Sequence, residues 1–443
     1  METPICDFVA RYAAGDTLRL HMPGHKGKAL LGPESMDLTE IPGADSLYDP
    51  QGIIRQSEEN AGRLFGCHTL YSTEGSSHCI RAMLTLALQQ AARQGKAPVI
   101  AAARNAHKAF IHAVALLDLQ VQWLDPGKGE SYLSCCPSPR QVDEFLRTAP
   151  EKPFAVYLTS PDYLGCLADV KGIAQVCHQH DCMLLVDNAH GAYLRFLEKS
   201  LHPMDLGADL CCDSAHKTLP VLTGGAYLHI SHHAPQELAA QAKNALALHG
   251  STSPSYLILQ SLDKANAWLC QGHVETFAAR AAALRHRLEQ KGMALYGQEP
   301  LKLTLKARAM GYTGSELGQW LRKQGIECEF ADASYVVLML SATMTEAELK
   351  RLEQILAAIE LSAPLRQEQP DFHRCRQVMS VRQAMLSPAK TVPVEDSLGK
   401  VLAAPSVGCP PAVPIVICGE QIDETALGLL QFYGVEYCTV VEE

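Results

Sequence analysis

Apolar positions in the middle of the chain follow two alternating rhythms. Short, nearly unbroken runs at 97–102, 154–159, 183–186 and 225–230 have the length and composition of buried strands. Segments 79–94, 106–117 and 170–180 instead place apolar residues three and four positions apart, as an amphipathic helix requires. Alternation of this kind from about 55 to 265 predicts a mostly parallel sheet covered by helices on both faces. After a turn around Ser251 to Ser255, one long helical pattern runs to about Lys291. A second α/β stretch, about 295–362, holds a strand at 335–340 and a capped helix that opens at Thr343-Met344-Thr345. Residues 1–50 are rich in Gly, Pro and His with little periodicity, which predicts an arm packed on something else. The expected division is an arm at 1–50, a large domain at 51–290, a small α/β domain at 291–365 and a closing module at 366–443, with a linker at 363–371.

Length and charge narrow the class. At 443 residues the chain can bury a large core and a smaller second one, and a formal charge of -10 without a basic stripe argues against a nucleic-acid partner. No run of eighteen apolar residues occurs and the first residues lack a basic and apolar leader pattern, so a cytoplasmic, soluble protein is expected with no membrane partner. Sixteen cysteines are scattered along it, and the doublets Cys135-Cys136 and Cys211-Cys212 lack the C-x-x-C spacing of zinc sites. They read as reduced, mostly buried thiols, and no metal site is expected.

Candidate chemistry centres on two residues. The run Met183-Leu184-Leu185-Val186 delivers Asp187 at the tip of a buried strand, followed by the small-residue turn Asn188-Ala189-His190-Gly191. Lys217 stands in Asp213-Ser214-Ala215-His216-Lys217-Thr218-Leu219. A lone lysine is usually a solvated charge and a strand-ending aspartate often a helix cap, but the pair suits pyridoxal phosphate. The amine would hold the cofactor aldehyde and the carboxylate would keep the pyridine nitrogen protonated.

With these motifs in order, the chain resembles the Orn/Lys/Arg decarboxylase family of fold type I pyridoxal-phosphate enzymes, nearly end to end. His21-Met22-Pro23-Gly24-His25-Lys26-Gly27 and Pro42-Gly43-Ala44-Asp45-Ser46-Leu47-Tyr48-Asp49-Pro50 are similar to its opening signature, and Arg104-Asn105-Ala106-His107-Lys108 to its next motif. The segments around Asp187 and Lys217 resemble its two central motifs. Met379-Ser380-Val381-Arg382-Gln383-Ala384 and Pro410-Pro411-Ala412-Val413-Pro414 look like its C-terminal part.

The resemblance implies a large α/β domain with a seven-stranded, mostly parallel sheet, a small α/β domain, a C-terminal module and at least a homodimer. The implied reaction is α-decarboxylation of a basic amino acid (arginine, lysine or ornithine) in polyamine-type metabolism. Gly75, Ser76 and Ser77 would hold the phosphate at a helix N-terminus. Ser214 and His216 would add contacts to it, His107 would stack on the pyridine ring, and His190 would sit beside Asp187. The arm, with His25 and Asp45, would reach an active site, although a Gly/Pro-rich arm is equally consistent with a structural role. Asp45, Glu420 and Asp423 are candidates to receive the distal cation of the substrate. The higher assemblies of the largest members are not expected.

Three positions depart from the family pattern. Glu74 replaces a common asparagine beside the phosphate glycine, Asn188 replaces a frequent acidic residue, and Gly224-Gly225 stands where glutamine is common. Glu74 is expected to point away from Ser76 and Ser77 and to be neutralised by a base or a helix terminus. Two rival readings stay open: another reaction of the same cofactor, aminotransfer or aldol-type cleavage, and a binding protein of low turnover.

Overall fold

The computed structural model describes residues 1–126, 131–365, 372–405 and 413–442. The expected linker beyond residue 365 and the prolines of the last motif, Pro410 and Pro411, lie outside the described residues.

The chain is α/β. Its main sheet has seven strands: β1 (His68–Ser72), β2 (Val99–Ala103), β3 (Gln120–Leu124), β4 (Ala155–Thr159), β5 (Met183–Asp187), β6 (Leu210–Asp213) and β7 (Ala226–Ile230). The four expected strands are β2, β4, β5 and β7, each within two residues of its anticipated bounds. A four-stranded antiparallel sheet follows, from β8 (Leu295–Tyr296), β9 (Lys302–Lys306), β10 (Phe330–Ala331) and β11 (Tyr335–Met339). β12 (Ala389–Pro393) pairs with β13 (Tyr437–Val441).

Two compact units divide the chain. The first comprises residues 1–96 and 183–276, the second residues 97–182 and 277–443. In the first unit the strands run in the order β1-β7-β6-β5, with β5 and β6 parallel and β7 antiparallel to both its neighbours. Apolar side chains fill β5 and β7 almost completely, which is why their sequence runs do not alternate. Helix Gly75–Arg93 packs on this sheet and against helix Gln236–His249.

Two expectations are corrected here. The arm is not aperiodic throughout: Pro4–Ala14 is a helix, begun by Pro4 in its first turn and docked through buried Ile5 and Val9. Its Ile5 and Cys6 N–H groups donate to the Asp263 carboxylate, both at 3.0 Å, so a side chain distant in sequence supplies what the helix start lacks. The long pattern after Ser255 is two helices, Tyr256–Leu269 and His273–Gln290, separated at Gln271 and Gly272. Both halves keep the same apolar spacing, and periodicity alone does not register the break.

In the second unit β2 pairs in parallel with both β3 and β4. Helix Pro139–Thr148 opens with a capping box between Ser138 and Gln141, and helix Glu346–Ala357 with one between Thr345 and Glu348. The closing part of this unit has its own core around Val394, Leu402, Ile415, Ile422, Leu430 and Val440. Arg104, 2% exposed at the end of β2, holds it in place by donating to the carbonyls of Pro414 (3.1 Å) and Ile415 (3.0 Å) and to Glu420 Oε2 (3.2 Å).

Candidate active site

Three loops at strand tips in the first unit carry the expected residues. Asp187 ends β5 and is 2% exposed, with Oδ1 accepting the Ala189 N–H at 3.2 Å and facing the Cys212 thiol at 3.7 Å. Burial pushes that thiol far above its ordinary value, so it stays protonated and donates. Lys217 lies on the one-turn helix Ala215–Thr218 that follows β6, and its Nζ is 3.1 Å from His190 Nε2. His190 belongs to the turn after Asp187, so the two central motifs meet through this contact.

The third loop is the start of helix Gly75–Arg93. Gly75 has φ +73, and a Cβ built on it would meet nothing within 4 Å, leaving open space beside the first-turn residues Ser76 and Ser77. The Ser214 hydroxyl donates to Ser76 Oγ at 2.7 Å, which brings the lysine loop to the same spot. The Thr218 hydroxyl is buried with no hydrogen-bond partner among the described residues. Helix N–H groups, two linked serines, an orphan hydroxyl, a lysine and a buried carboxylate form a donor set that fits a phosphorylated pyridine aldehyde.

The departures acquire physical reasons. Glu74 precedes the helix without capping it through its side chain, and its Oε1 accepts the Ser251 N–H at 2.6 Å. The carboxylate is therefore turned to the loop after helix Gln236–His249, and its partner there is a backbone amide rather than the expected base. Gly224 has φ +101, its carbonyl accepts the Gly75 N–H at 2.7 Å, and a Cβ there would lie 2.8 Å from the Thr73 carbonyl oxygen. Gly225 accepts from His216 twice, from the backbone N–H at 3.2 Å and from ring Nδ1 at 3.0 Å. Burial lowers the His216 imidazole from its usual value. With Nδ1 donating to Gly225, a bond from Nε2 to an anion requires the ring to gain a proton, which a nearby phosphate favours.

Asn188 leads to a residue that sequence reasoning passed over. Its Nδ2 donates to Asp213 Oδ1 at 2.7 Å, while Asp213 Oδ2 takes the Nε2 atoms of His202 and His229, both at 3.0 Å. All four side chains are 0% exposed. Burial alone would raise the Asp213 carboxyl; the two imidazoles outweigh it and hold the group well below the usual range. Asp213 thus ties the turn after Asp187 to the strand that leads into Lys217. A carboxylate at the tip of a strand, adjoining Ser214, is the sequence signal that could have singled it out.

His107 belongs to the second unit, where its Nδ1 accepts the Ala109 N–H and caps helix Lys108–Leu117. The three candidates for the substrate's distal cation are already engaged. Asp45 accepts the backbone N–H groups of Ser46, Gln51, Gly52 and Ile54, Glu420 takes Arg104 and the Ile417 N–H, and Asp423 caps helix Glu424–Phe432 and pairs with His373. His25 pairs with Asp37 in the arm at 3.2 Å.

Residues 3–293 match the family model described as Orn/Lys/Arg decarboxylase, major domain. An arginine decarboxylase of Bacillus subtilis strain 168 is 29% identical, over 96% of this chain and 92% of that protein. Another from Halalkalibacterium halodurans is 28% identical, over 97% and 93%. Among solved structures, the lysine decarboxylase LdcF of Francisella novicida superposes with a TM-score of 0.81 at 17% identity, over 99% of this chain and 81% of that one.

Proposed function

The chain belongs to the Orn/Lys/Arg decarboxylase family, and from that premise we propose that it removes the α-carboxylate of a basic amino acid, arginine before lysine or ornithine, in polyamine-type metabolism. Its chemistry is that of a pyridoxal-phosphate-dependent amino-acid decarboxylase, a lyase that releases carbon dioxide. The single observation that carries the site assignment is the meeting of Lys217 with His190 beside buried Asp187, above the Ser76–Ser214 contact. Preference for arginine rests on the two relatives bearing that name, each aligned over more than nine-tenths of this chain.

Pyridoxal phosphate supplies an electron sink for the pair left behind when a bond at the α-carbon breaks. The chain's own residues have separable tasks. Lys217 would hold the cofactor covalently, and His190 Nε2, 3.1 Å from Nζ, is placed to exchange a proton with the amine. Asp187 would keep the pyridine nitrogen protonated from a dry position, where a carboxylate acts more strongly than in water. N–H groups of the first turn after Gly75, with the Ser76, Ser77 and Ser214 hydroxyls and a protonated His216, hold the phosphate.

The working form is a homodimer. Leu18, Leu20, Leu30 and Leu31 are 80 to 92% exposed within fourteen residues of the arm, an apolar density that a second copy would cover. A cytoplasmic location accords with described cysteines that are all free. Among the described residues no helix is long and apolar enough to cross a membrane.

Purified protein incubated in turn with arginine, lysine and ornithine tests the substrate. Carbon dioxide and the matching amine, formed fastest from arginine, are expected. A keto acid with the carboxylate retained would overturn the reading.

A further inference from the structure

Cys136 and Cys166 stand on separate loops of the second unit, and one buried carboxylate holds both. Asp162, 0% exposed, follows β4 and accepts the backbone N–H groups of Leu164 (3.0 Å) and Cys166 (2.8 Å) on Oδ1. This bonding shapes the turn that presents Cys166. Its Oδ2 accepts the Ser134 hydroxyl and faces Cys136 Sγ at 3.8 Å. Oδ2 and the two sulfurs all lie within 4.8 Å of one another. Both thiols are partly exposed, so an ion has a route in.

We propose that Cys136, Cys166 and Asp162 bind a thiophilic divalent metal, zinc above all. Tetrahedral zinc, with bonds of about 2.3 Å to sulfur and about 2.0–2.2 Å to carboxylate oxygen, sets its ligands roughly 3.5–3.8 Å apart. The observed cluster is already close to that size, and rotation about the cysteine side-chain bonds supplies the remainder. Two thiolates select zinc over magnesium or calcium, which prefer oxygen alone, and water completes the coordination. Among the described residues, the other two clusters of comparable composition are less suited. That of His202, Cys211 and Asp213 is sealed, with both Asp213 oxygens engaged, and in that of His373, Cys375 and Asp423 the sole sulfur is buried and the carboxylate caps a helix. C-x-x-C spacing was the wrong signal to seek, because these ligands come from loops before and after β4.

The step balances as Zn²⁺ plus two thiols and one carboxylate giving the bound metal and two protons. Lys302, Glu299, Tyr296 and Tyr335 face this region; Lys302 Nζ donates to the Asp162 carbonyl at 3.2 Å but is paired with Glu299 at 2.9 Å, so it adds little net charge. Affinity should rise steeply with pH as the two thiols deprotonate. Bound metal would fasten the loop before helix Pro139–Thr148 to the turn after β4.

Titration of the reduced holoenzyme with Co²⁺ tests this, because tetrahedral thiolate-bound cobalt has visible bands well to the red of the cofactor. One equivalent bound, about two protons released, and displacement by Zn²⁺ are expected. Cys136→Ser and Cys166→Ser should each weaken binding by more than about a hundredfold, beyond the cost of losing an outer partner, while far-UV dichroism and cofactor absorption stay unchanged. Absence of the bands in the reduced wild type, or their persistence in both variants, would overturn the proposal.

Discussion

Returning glutamine to position 224 should damage the cofactor site. Gly224 adopts φ +101, a region costing an L-residue about 1–2 kcal/mol, and its Cβ would sit 2.8 Å from the Thr73 carbonyl oxygen. Crowding a packed backbone in this way adds about 1–3 kcal/mol. Relief is available only if the 222–225 loop and the 73–75 loop separate. That movement breaks the 2.7 Å bond from Gly75 N–H to the Gly224 carbonyl and shifts the start of helix Gly75–Arg93. A total of roughly 2–5 kcal/mol, at 1.4 kcal/mol per decade, corresponds to a loss of about 30-fold to a few thousand-fold in cofactor affinity. Equilibrium titration of the apoenzyme with pyridoxal phosphate, followed by absorbance, measures it. Gly224→Ala should match Gly224→Gln, because the first side-chain carbon is what collides. Wild-type affinity together with unchanged thermal stability in Gly224→Gln would refute the argument.

Four further outcomes follow from the same geometry. Lys217→Ala should lose covalent cofactor absorption, and borohydride reduction with peptide mapping should place the pyridoxyl group of the wild type on Lys217 and no other lysine. Asp187→Asn should lower turnover by about 10²–10³-fold or more with folding intact, since a neutral amide does not hold the pyridine nitrogen protonated; near-normal turnover rules the role out. Arg104→Met strands Glu420 in the core and should cost about 3–5 kcal/mol in urea unfolding, with Arg104→Met/Glu420→Gln recovering part of it; a double variant no better than the single one contradicts the pairing. Burial lowers His229, but Asp213 and Cys67 together raise it by more, so its folded value lies above the unfolded one. Its stabilisation is full below the ordinary imidazole value and is lost as pH rises through the folded value. The stability gap between wild type and His229→Gln should therefore be larger at about pH 5.5 than at about pH 9, and a constant gap would count against the ion pair.

Asp187 and Lys217 could be singled out in the sequence because each local stretch carries its own context, an apolar run before one and a Ser-x-His turn before the other. β1, β3 and β6 could not. Leu210-Cys211-Cys212-Asp213 is too short to display a period, and β1 mixes His, Thr, Tyr and Ser, its burial coming from β7, which lies more than 150 residues further along. The helix Pro4–Ala14 was hidden for a similar reason, its docking depending on Asp263. Asp213 escaped notice because its partners Asn188, His202 and His229 are gathered only by strand pairing. Asp45, Glu420 and Asp423 could be read as acidic but not as engaged, since their partners are backbone N–H groups and side chains that spacing does not reveal.

The strand order of the first unit also sets a timetable for synthesis. β1 pairs with β7, Leu70 opposite Leu228, so the Gly75-Ser76-Ser77 turn that follows β1 waits on the ribosome for a neighbour encoded far downstream. At roughly 5–20 residues per second, the 141 residues from Ser76 to Lys217 take about 7–28 s to emerge. Throughout that interval β1 presents an unpaired edge, and the second unit's 97–182 segment is translated in the gap. Newly made chains should capture cofactor only after β7 has left the exit tunnel, so nascent chains stalled short of that point would be the ones to recruit chaperones.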